Sequence, residues 1–244
     1  MSHFQLQAQE LSFTYPDGHQ ALQSVSFGIC QGESVGIIGS NGAGKSTLLL
    51  HLNGILRATA GEVRVEDAAI STETVAQVRR TVGLIFQDSD DQLFMPTVFD
   101  DVAFGPTNMG LSLQEVRSRA EAALATVGVS HLADRLPYRL SGGEKRAVAI
   151  AGVLAMSPSV LVMDEPSDGL DPAARRRLIN LLKGLDYTKI IASHDLDLVE
   201  DVCSRVLVMH HGRLEADGPP DVIFADKVLL DRCHLELPLS RQRL

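Results

Sequence analysis

The chain has 244 residues, of which 45% are apolar, a composition typical of one large folded domain rather than a disordered chain. Its formal net charge of −9 argues against nucleic acid as the main partner, because phosphate backbones are bound by clustered lysine and arginine. The longest apolar run, Ala147–Met156, is too short to span a bilayer, and Met1–Phe4 shows no secretory signal. We therefore expect a cytoplasmic protein that reaches a membrane only through a partner.

The first predicted elements form a small antiparallel sheet. Apolar and polar residues alternate over His3–Gln9, which is the pattern of a half-buried strand. Leu11–Tyr15 continues as extended chain, and Pro16–Gly18 predicts a turn. The start of the chain is therefore predicted to be an N-terminal antiparallel β subdomain.

The rest of the chain predicts an α/β fold on a mostly parallel sheet, with an inserted helical subdomain. Ser34–Gly39 and Val82–Phe86 are apolar segments of strand length. Three further apolar runs lack alternation, as is typical of parallel strands covered on both faces: Val160–Met163, Lys189–Ser193 and Arg205–Met209. Between the second and third of these five strands, residues 91–156 are predicted to be rich in helix, with apolar residues at helical spacing over Gln114–Val127.

A phosphate-binding loop follows the first core strand. The motif G-x-x-x-x-G-K-[ST] is present as Gly39, Ser40, Asn41, Gly42, Ala43, Gly44, Lys45 and Ser46. Glycines let main-chain N–H groups approach phosphate oxygens, and the following helix, predicted over residues 46–53, points the positive end of its dipole at the same place. Lys45 is expected to reach the β- and γ-phosphates, and the Ser46 hydroxyl to bind Mg²⁺. This predicts a P-loop NTPase core without choosing among kinases, GTPases and transport ATPases.

A second phosphate-binding element is predicted at the start of a later helix. Leu140 is followed by Ser141, Gly142, Gly143 and Glu144, and Ser141 and Glu144 have capping-box spacing. Two consecutive glycines are poor helix formers, and their advantage is close approach of the main chain to an anion. One chain therefore carries two elements for binding phosphate.

Two adjacent carboxylates end the strand that begins at Val160. Neighbouring strand residues face opposite ways, so Asp164 and Glu165 are expected to have different roles. Asp164 suits the Mg²⁺ shell, and Glu165 suits a general base that polarises the attacking water. His194 ends the next predicted strand, where it is expected to contact the γ-phosphate and to hold the geometry of the water.

Together these motifs resemble the ATP-binding subunit of ABC transporters over nearly the whole chain. The phosphate loop is followed in order by a glutamine loop at Gln87, the signature Leu140–Glu144, the Asp164-Glu165 pair and His194. The resemblance implies a single ABC ATPase domain over residues 1–244 that hydrolyses ATP with Mg²⁺. Its core would cover about residues 1–87 and 157–220, its helical signature subdomain about 88–156, and a short tail 221–244.

The resemblance also implies roles for individual residues. Tyr15 would stack on adenine, nucleotide contacts would continue through Thr47, and Gln87 would complete the Mg²⁺ shell and sense the γ-phosphate. Two copies would hold two ATP molecules head to tail, each between Lys45 of one copy and the signature of the other, including Ser141 and Gly143. The protein is therefore expected to act as a homodimer when ATP is bound.

A narrower resemblance, to the energy-coupling-factor importers, lies in Phe86–Phe94 and Asp101–Pro106. In that group an extra helix after the glutamine loop faces a transmembrane coupling protein, and acidic residues meet its arginines; the candidates here are Asp90, Asp91 and Gln92. Within this group, the chain resembles the ATPases dedicated to cobalt or nickel. This implies a peripheral protein on the cytoplasmic face of the cell membrane, working with the coupling protein and substrate-binding membrane subunits. Two positions depart from the pattern of this group: Asp88-Ser89 stands where Asn-Pro is usual, and Asp168 stands where a small residue or Thr is usual.

Four alternatives remain open at this point. One is the ATPase of a vitamin importer of the same group, and another is an importer ATPase fed by a binding protein, against which only Gln87–Phe94 argues. A third is a non-transport ABC ATPase, although no sustained heptad pattern of the DNA-repair members and no second cassette of the translation members is present. The fourth is a metabolite kinase, in which Leu140–Glu144 and His194 would have no role.

Overall fold

Residues 4–242, the part of the chain that the computed structural model describes, form ten strands and nine α-helices. The strands are β1 (Phe4–Thr14), β2 (Gln20–Cys30), β3 (Ser34–Ile38), β4 (Ala60–Val65), β5 (Ala68–Ala69), β6 (Val82–Ile85), β7 (Val160–Asp164), β8 (Thr188–Ala192), β9 (Arg205–His210) and β10 (Arg213–Gly218). The α-helices are α1 (Lys45–Leu52), α2 (Val75–Thr81), α3 (Val98–Asn108), α4 (Leu113–Thr126), α5 (Gly142–Ala155), α6 (Pro172–Gly184), α7 (Leu196–Val202), α8 (Pro220–Ala225) and α9 (Lys227–Arg232).

The N-terminal sheet confirms the predicted antiparallel subdomain. Its strand order is β2-β1-β4-β5, and all three neighbouring pairs are antiparallel. Leu6 and Ala8 are buried while Gln7 between them is half-buried, as alternation predicts. His3, which belongs to the same predicted pattern, lies outside the described residues. The turn after β1 is closed by the Gly18 N–H, which donates to the Tyr15 carbonyl at 2.9 Å.

The second sheet confirms the mostly parallel core. Its order is β10-β9-β3-β8-β7-β6, in which the five strands from β9 to β6 run parallel and β10 pairs antiparallel with β9. Successive residues of a strand enter two different cores: Ile37 and Val162 pack with α1 and the N-terminal sheet, whereas Ile38 and Met163 pack with the helices on the other face. Burial on both faces explains why these strands lack a polar alternation.

The helical subdomain is built from α3, α4 and α5. The helix predicted over Gln114–Val127 is present as α4, and a capping box begins it: Ser112 Oγ accepts from the Glu115 N–H, and Glu115 Oε2 accepts from the Ser112 N–H. At α3 a simple side-chain cap is present, in which Thr97 Oγ1 accepts from the Asp100 N–H. Among the helices of the described chain, none is both long and apolar enough to cross a bilayer.

The segment expected to be a short tail is folded onto the core. It forms α8, α9 and a 3-10 helix at Leu239–Arg241, and the side chain of Phe224 is 1% exposed. The N–H groups of Leu239 and Ser240 donate to the two carboxylate oxygens of Asp197 on α7, at 3.0 and 2.9 Å. Both apolar packing and these bonds make the segment part of the same folded unit as the core.

Candidate functional site

All four motif-bearing loops of the core leave the parallel sheet at one edge. The order β3-β8-β7-β6 places side by side the strands that end before the phosphate loop, His194, Glu165 and Gln87. Because these strands are parallel, their carboxyl ends meet at the same edge, which is where ligands bind in open α/β sheets. A cavity of about 1650 Å³ opens there, and its lining includes Tyr15, Gly39–Thr47, Gln87, Glu165 and His194.

The phosphate loop depends on glycine at two points. Gly44 has a φ of 100°, a left-handed conformation that side chains disfavour, and a Cβ on Gly39 would lie 2.4 Å from the Met209 carbonyl oxygen. Lys45 begins α1, and its Nζ donates to the Gly39 carbonyl at 2.7 Å and lies 3.8 Å from Glu165 Oε1. An ammonium surrounded by oxygen acceptors in this way is positioned for the oxygens of a polyphosphate.

Asp164 and Ser46 fit the Mg²⁺ position that the resemblance implies. Oδ1 of Asp164 is buried and has no hydrogen-bond partner within the described chain. Burial raises the pKa of Asp164, an effect that the hydrogen bond from Ser46 partly offsets. A buried carboxylate oxygen without a partner, beside a hydroxyl, matches the oxygen ligands that Mg²⁺ prefers.

Glu165 is held rigidly, with one carboxylate oxygen toward Lys45. It is 6% exposed and has a φ of 42°, a conformation that costs a non-glycine residue about 1–3 kcal/mol and needs support from its surroundings. That support comes at Oε2, which accepts from Ser193 Oγ at 3.1 Å and from the His194 N–H at 3.0 Å, and lies 2.8 Å from His194 Nδ1. Oε1 remains on the phosphate side, where a general base would act.

His194 stands on a turn that an ion pair fixes. Its side chain is 62% exposed and opens into the cavity. The next residue, Asp195, receives two hydrogen bonds from Arg175 of α6, at 2.5 and 2.6 Å. Burial alone would raise the pKa of Asp195, but the bonds from Arg175 and from the Leu198 N–H hold it below its ordinary value. Support from Arg175 was not among the predictions from the sequence.

Gln87 and the two acidic residues that depart from the pattern of the group, Asp88 and Asp168, make hydrogen bonds within the chain. Gln87 Nε2 donates to Asp168 Oδ2 at 3.1 Å, so Asp168 joins the glutamine loop to the loop after β7. Asp88 Oδ1 accepts from the Asp90 N–H at 2.8 Å and caps the 3-10 helix Ser89–Asp91. An asparagine carbonyl can accept in the same way, so the Asp88 substitution retains the cap.

Tyr15 lies at the rim of the phosphate loop. Its hydroxyl is 3.0 Å from Thr47 Oγ1, and its ring packs edge-to-face on Phe13, which packs in turn on His51. His51 is 2% exposed, and its burial lowers its pKa. The buried ring of His51 therefore supports the aromatic pair from below. Stacking of Tyr15 on adenine stays a prediction.

The signature lies away from this cavity, of which Ser141, Gly142, Gly143 and Glu144 form no part. The predicted capping box is present, since the Ser141 N–H donates to Glu144 Oε2 at 2.8 Å and the Glu144 N–H donates to Ser141 Oγ at 3.4 Å. Ser141 and Gly142 are exposed, and a Cβ on Gly142 would meet nothing within 4 Å. The first turn of α5 can therefore be approached from outside the chain.

The acidic segment after the glutamine loop divides into inward and outward side chains. Gln92 Nε2 donates to the Ala149 carbonyl at 3.0 Å, and its Oε1 accepts from the Phe86 N–H at 3.3 Å, so this amide binds within the chain. Asp90 and Asp91 are exposed, and Asp90 pairs with Lys145 at 2.6 Å. The extra helix expected here is the single 3-10 turn Ser89–Asp91.

Two neighbours of the site were not predicted. Arg146, 5% exposed, donates from Nη1 to the Phe86 carbonyl at 2.6 Å and from Nη2 to the Gln87 carbonyl. Its spacing with Ile150 and Val153 puts a charge on an apolar helix face, a signal that could have revealed a buried role. The other neighbour is the C-terminal segment, which lines the cavity from His234 to Gln242 and carries no motif.

Comparison with known proteins agrees with this geometry. Residues 22–168 match the family model described as ABC transporter. A putative ABC transporter ATP-binding protein of Geobacter sulfurreducens is 58% identical over 99% of this chain and 97% of its own. The energy-coupling factor transporter ATP-binding protein EcfA of Methanocaldococcus jannaschii is 46% identical over 96% of this chain and 85% of its own.

Two solved structures are similar over most of the chain. CbiO1 of Clostridium perfringens, described as part of the ABC transporter complex cbiONQ, has a TM-score of 0.83 and 42% identity, covering 97% of this chain and 96% of its own. A dimeric ATP-binding cassette in a post-hydrolysis state with ADP and Pi has a TM-score of 0.79 and 27% identity, covering 88% of this chain and 98% of its own.

Proposed function

This chain belongs to the ABC transporter ATP-binding proteins, within the energy-coupling-factor group, and from that premise we propose that it is the ATP-hydrolysing motor of a membrane importer for cobalt or nickel. One observation carries the proposal: the phosphate loop, Gln87, Glu165 and His194 converge at one edge of the parallel sheet. The cargo is supported by the likeness to CbiO1 and its cbiONQ complex.

In the proposed reaction the polyphosphate of ATP lies along the loop Gly39–Ser46. Lys45 leaves the Gly39 carbonyl and pairs with β- and γ-phosphate oxygens. Glu165 takes a proton from the attacking water as the water oxygen bonds to the γ-phosphorus and the bond to ADP breaks. His194, already 2.8 Å from Glu165, keeps that carboxylate oriented and contacts the γ-phosphate.

Ser46 and Asp164, together with Gln87, would hold Mg²⁺ beside these phosphates. When bound, this ion neutralises charge on the β- and γ-phosphates. The orphaned Oδ1 of Asp164 supports this assignment. Gln87 would first have to break its 3.1 Å hydrogen bond to Asp168, which would free the side-chain amide to turn toward the ion.

Two copies of the chain form the complete ATPase, with each ATP between the phosphate loop of one copy and the signature of the other. The exposed first turn of α5 supports this arrangement, because its Ser141 and Gly142 have open space in front of them and lie outside the phosphate-loop cavity. Similarity to a dimeric cassette supports it as well.

The membrane partner is a transmembrane coupling protein, and the docking surface consists of Asp90, Asp91, Phe94 and Phe104. The two aromatic rings pack edge-to-face at 4.9 Å although Phe94 is 63% exposed and Phe104 41%. Exposed aromatic rings beside carboxylates suit a partner segment that carries both arginine and apolar side chains. Substrate-binding membrane subunits complete the importer.

Replacing Asp90 and Asp91 together with Ala should weaken assembly with the membrane subunits by about tenfold or more, because charge-assisted contacts to arginine are lost. ATP hydrolysis by the isolated chain should be unchanged. Assembly is measured by copurification from gently solubilised membranes. The matched control replaces the exposed acids Asp186 and Asp231, which lie outside the helical subdomain. Full assembly of the Asp90/Asp91 variant would remove these acids from the docking surface.

Two experiments test the transport role. The first identifies the proteins that copurify with the tagged chain from its source cell. The second measures uptake of radioactive cobalt and nickel by membrane vesicles that contain the chain and those proteins. A coupling protein with a membrane subunit that binds cobalt or nickel, and ATP-dependent uptake, is the expected result. A vitamin-binding subunit would keep the group and change the cargo. A periplasmic binding protein would favour an ordinary importer, and ribosomal or DNA-bound partners would overturn transport.

A further inference from the structure

The glutamine loop and the signature helix are joined by a buried guanidinium that the reaction itself does not use. Arg146 lies in the second turn of α5, five residues after the helix cap Ser141. Its side chain is 5% exposed, and it donates to the carbonyl oxygens of Phe86 and Gln87. These two residues follow directly after β6, which ends at Ile85, and begin the glutamine loop.

The contact holds main chain rather than balancing a single carboxylate. Both acceptors are peptide carbonyls, and the planar fork of a guanidinium can satisfy two such acceptors at fixed spacing. Burial lowers the pKa of Arg146, while Asp168, Asp88 and Asp164 act in the opposite direction. Nε of Arg146 is buried without a hydrogen-bond partner in the described part of the chain, so the side chain is held here at a cost in desolvation.

Other bonds between the same two segments agree with this. Gln92 donates to the Ala149 carbonyl of α5, and Lys145 of α5 pairs with Asp90. The glutamine loop and its 3-10 turn are thus tied to α5 at several points. Among the residues that the structure describes, one hydrogen bond, from Gln87 to Asp168, joins the glutamine loop to the loop after β7. The glutamine loop is therefore bound more firmly to α5, the signature helix, than to the loop after β7 that carries Glu165.

We propose that Arg146 is a positioning residue that makes the glutamine loop and the first turn of α5 move as one body. Through this body, the position of Gln87 at one ATP sets the position of Ser141 at the other. This rests on the proposed roles of Gln87 toward Mg²⁺ and of Ser141 in the dimer. Arg146 itself touches neither nucleotide nor metal.

The first test follows exchange of main-chain amides with deuterium in the intact protein. In Arg146→Met, amides of the segment Gln87–Gln92 should exchange about tenfold or more faster, since loss of the guanidinium frees the loop, while those of β7 and β8 should be unchanged. Arg146→Lys keeps the charge but loses the fork, and should lie between the two. Arg119→Met is the matched control: it removes an arginine of α4 in the same subdomain, whose side chain donates to Ser157 Oγ at 3.4 Å and, among the described residues, makes no hydrogen bond to the glutamine loop.

The second test measures binding of the non-hydrolysable analogue adenylyl imidodiphosphate by calorimetry, with Mg²⁺ and with chelator. Gln87→Ala and Arg146→Met should each reduce the gain in affinity from Mg²⁺ by about tenfold, and the double variant should be no worse than either alone.

Additive effects of the two substitutions, or normal amide exchange over Gln87–Gln92 in both Arg146 variants, would overturn the proposal. If Gln87→Ala leaves the Mg²⁺ gain intact, the proposed role of Gln87 fails, while amide exchange still decides the role of Arg146. If Arg146→Met unfolds, Arg146→Lys carries both tests.

Discussion

Glu165→Gln is expected to slow ATP hydrolysis by about 10²–10⁴-fold while ATP binding is retained, because only the group that accepts the proton from water is lost. Gln keeps a carbonyl oxygen that can accept from Ser193 Oγ and the His194 N–H, so the unusual main-chain conformation at φ 42° keeps its support. The negative charge 3.8 Å from Lys45 also disappears. ATP binding should therefore stay the same or become tighter.

Single-turnover hydrolysis and equilibrium ATP binding measure the two effects separately. Glu200→Gln is the matched control, because Glu200 lines the same cavity but binds Ser240 and Arg241 of the C-terminal segment. That variant should hydrolyse ATP at the normal rate. Turnover by Glu165→Gln close to that of the unmodified protein would exclude Glu165 as the base.

Lys45→Ala should reduce ATP hydrolysis by at least about 100-fold and weaken ATP binding strongly, since the ammonium that pairs with the β- and γ-phosphates is gone. Lys45 is 7% exposed, and within the described residues its amine donates to the Gly39 and Ser40 carbonyls and lies 3.8 Å from Glu165, so its loss leaves the exterior of the fold unchanged. Lys183→Ala, which removes an exposed ion pair with Asp201, is the control and should behave normally. Unchanged affinity and turnover in Lys45→Ala would contradict the phosphate-loop assignment.

Mixing Lys45→Ala with a second variant, Gly142→Asp, tests the head-to-tail dimer. Gly142→Asp places a negative charge at the first turn of α5, in open space and at a helix end that favours acidic residues. The chain should therefore fold, but its signature should repel the ATP bound to the partner. Each variant alone should be inactive. In an equal mixture about half of the dimers pair the two variants, and each of these has one undamaged site, so about a quarter of the activity should return. Mixed dimers that bind no ATP and recover no activity would contradict the arrangement.

Most of the candidate site at the edge of the parallel sheet could be predicted from the sequence, because the motifs that form it are local. A glycine-rich loop between an apolar strand and a helix, or a carboxylate pair directly after a strand, depends on residues adjacent in the chain. The capping boxes at Ser112 and Ser141 likewise involve atoms three residues apart. Both sheets could be predicted for the same reason, since each rests on a pattern of neighbouring residues: alternating apolar and polar residues at the N-terminus, and continuous apolar runs in the core strands.

The order of the strands was decided only by the tertiary structure. Apolar runs at Val82, Val160 and Lys189 predict buried strands, but nothing in them specifies that β8 separates β3 from β7, or that β6 lies at the edge. That order brings Glu165 within 3.8 Å of Lys45, although 120 positions separate them along the chain. Packing between distant segments, which no local pattern encodes, sets such distances.

Single side chains that face inward were decided in the same way. Gln92 was expected to face a partner, but its amide binds Phe86 and Ala149, because the 3-10 turn directs it toward α5. Arg146 reaches carbonyls 59 and 60 positions away, and the C-terminal segment finds its acceptors on α7. The sequence by itself predicted which residues carry the proposed chemistry. Only the tertiary structure decided which side chains hold them in place, because a buried polar group takes its partners from whatever segment packs against it.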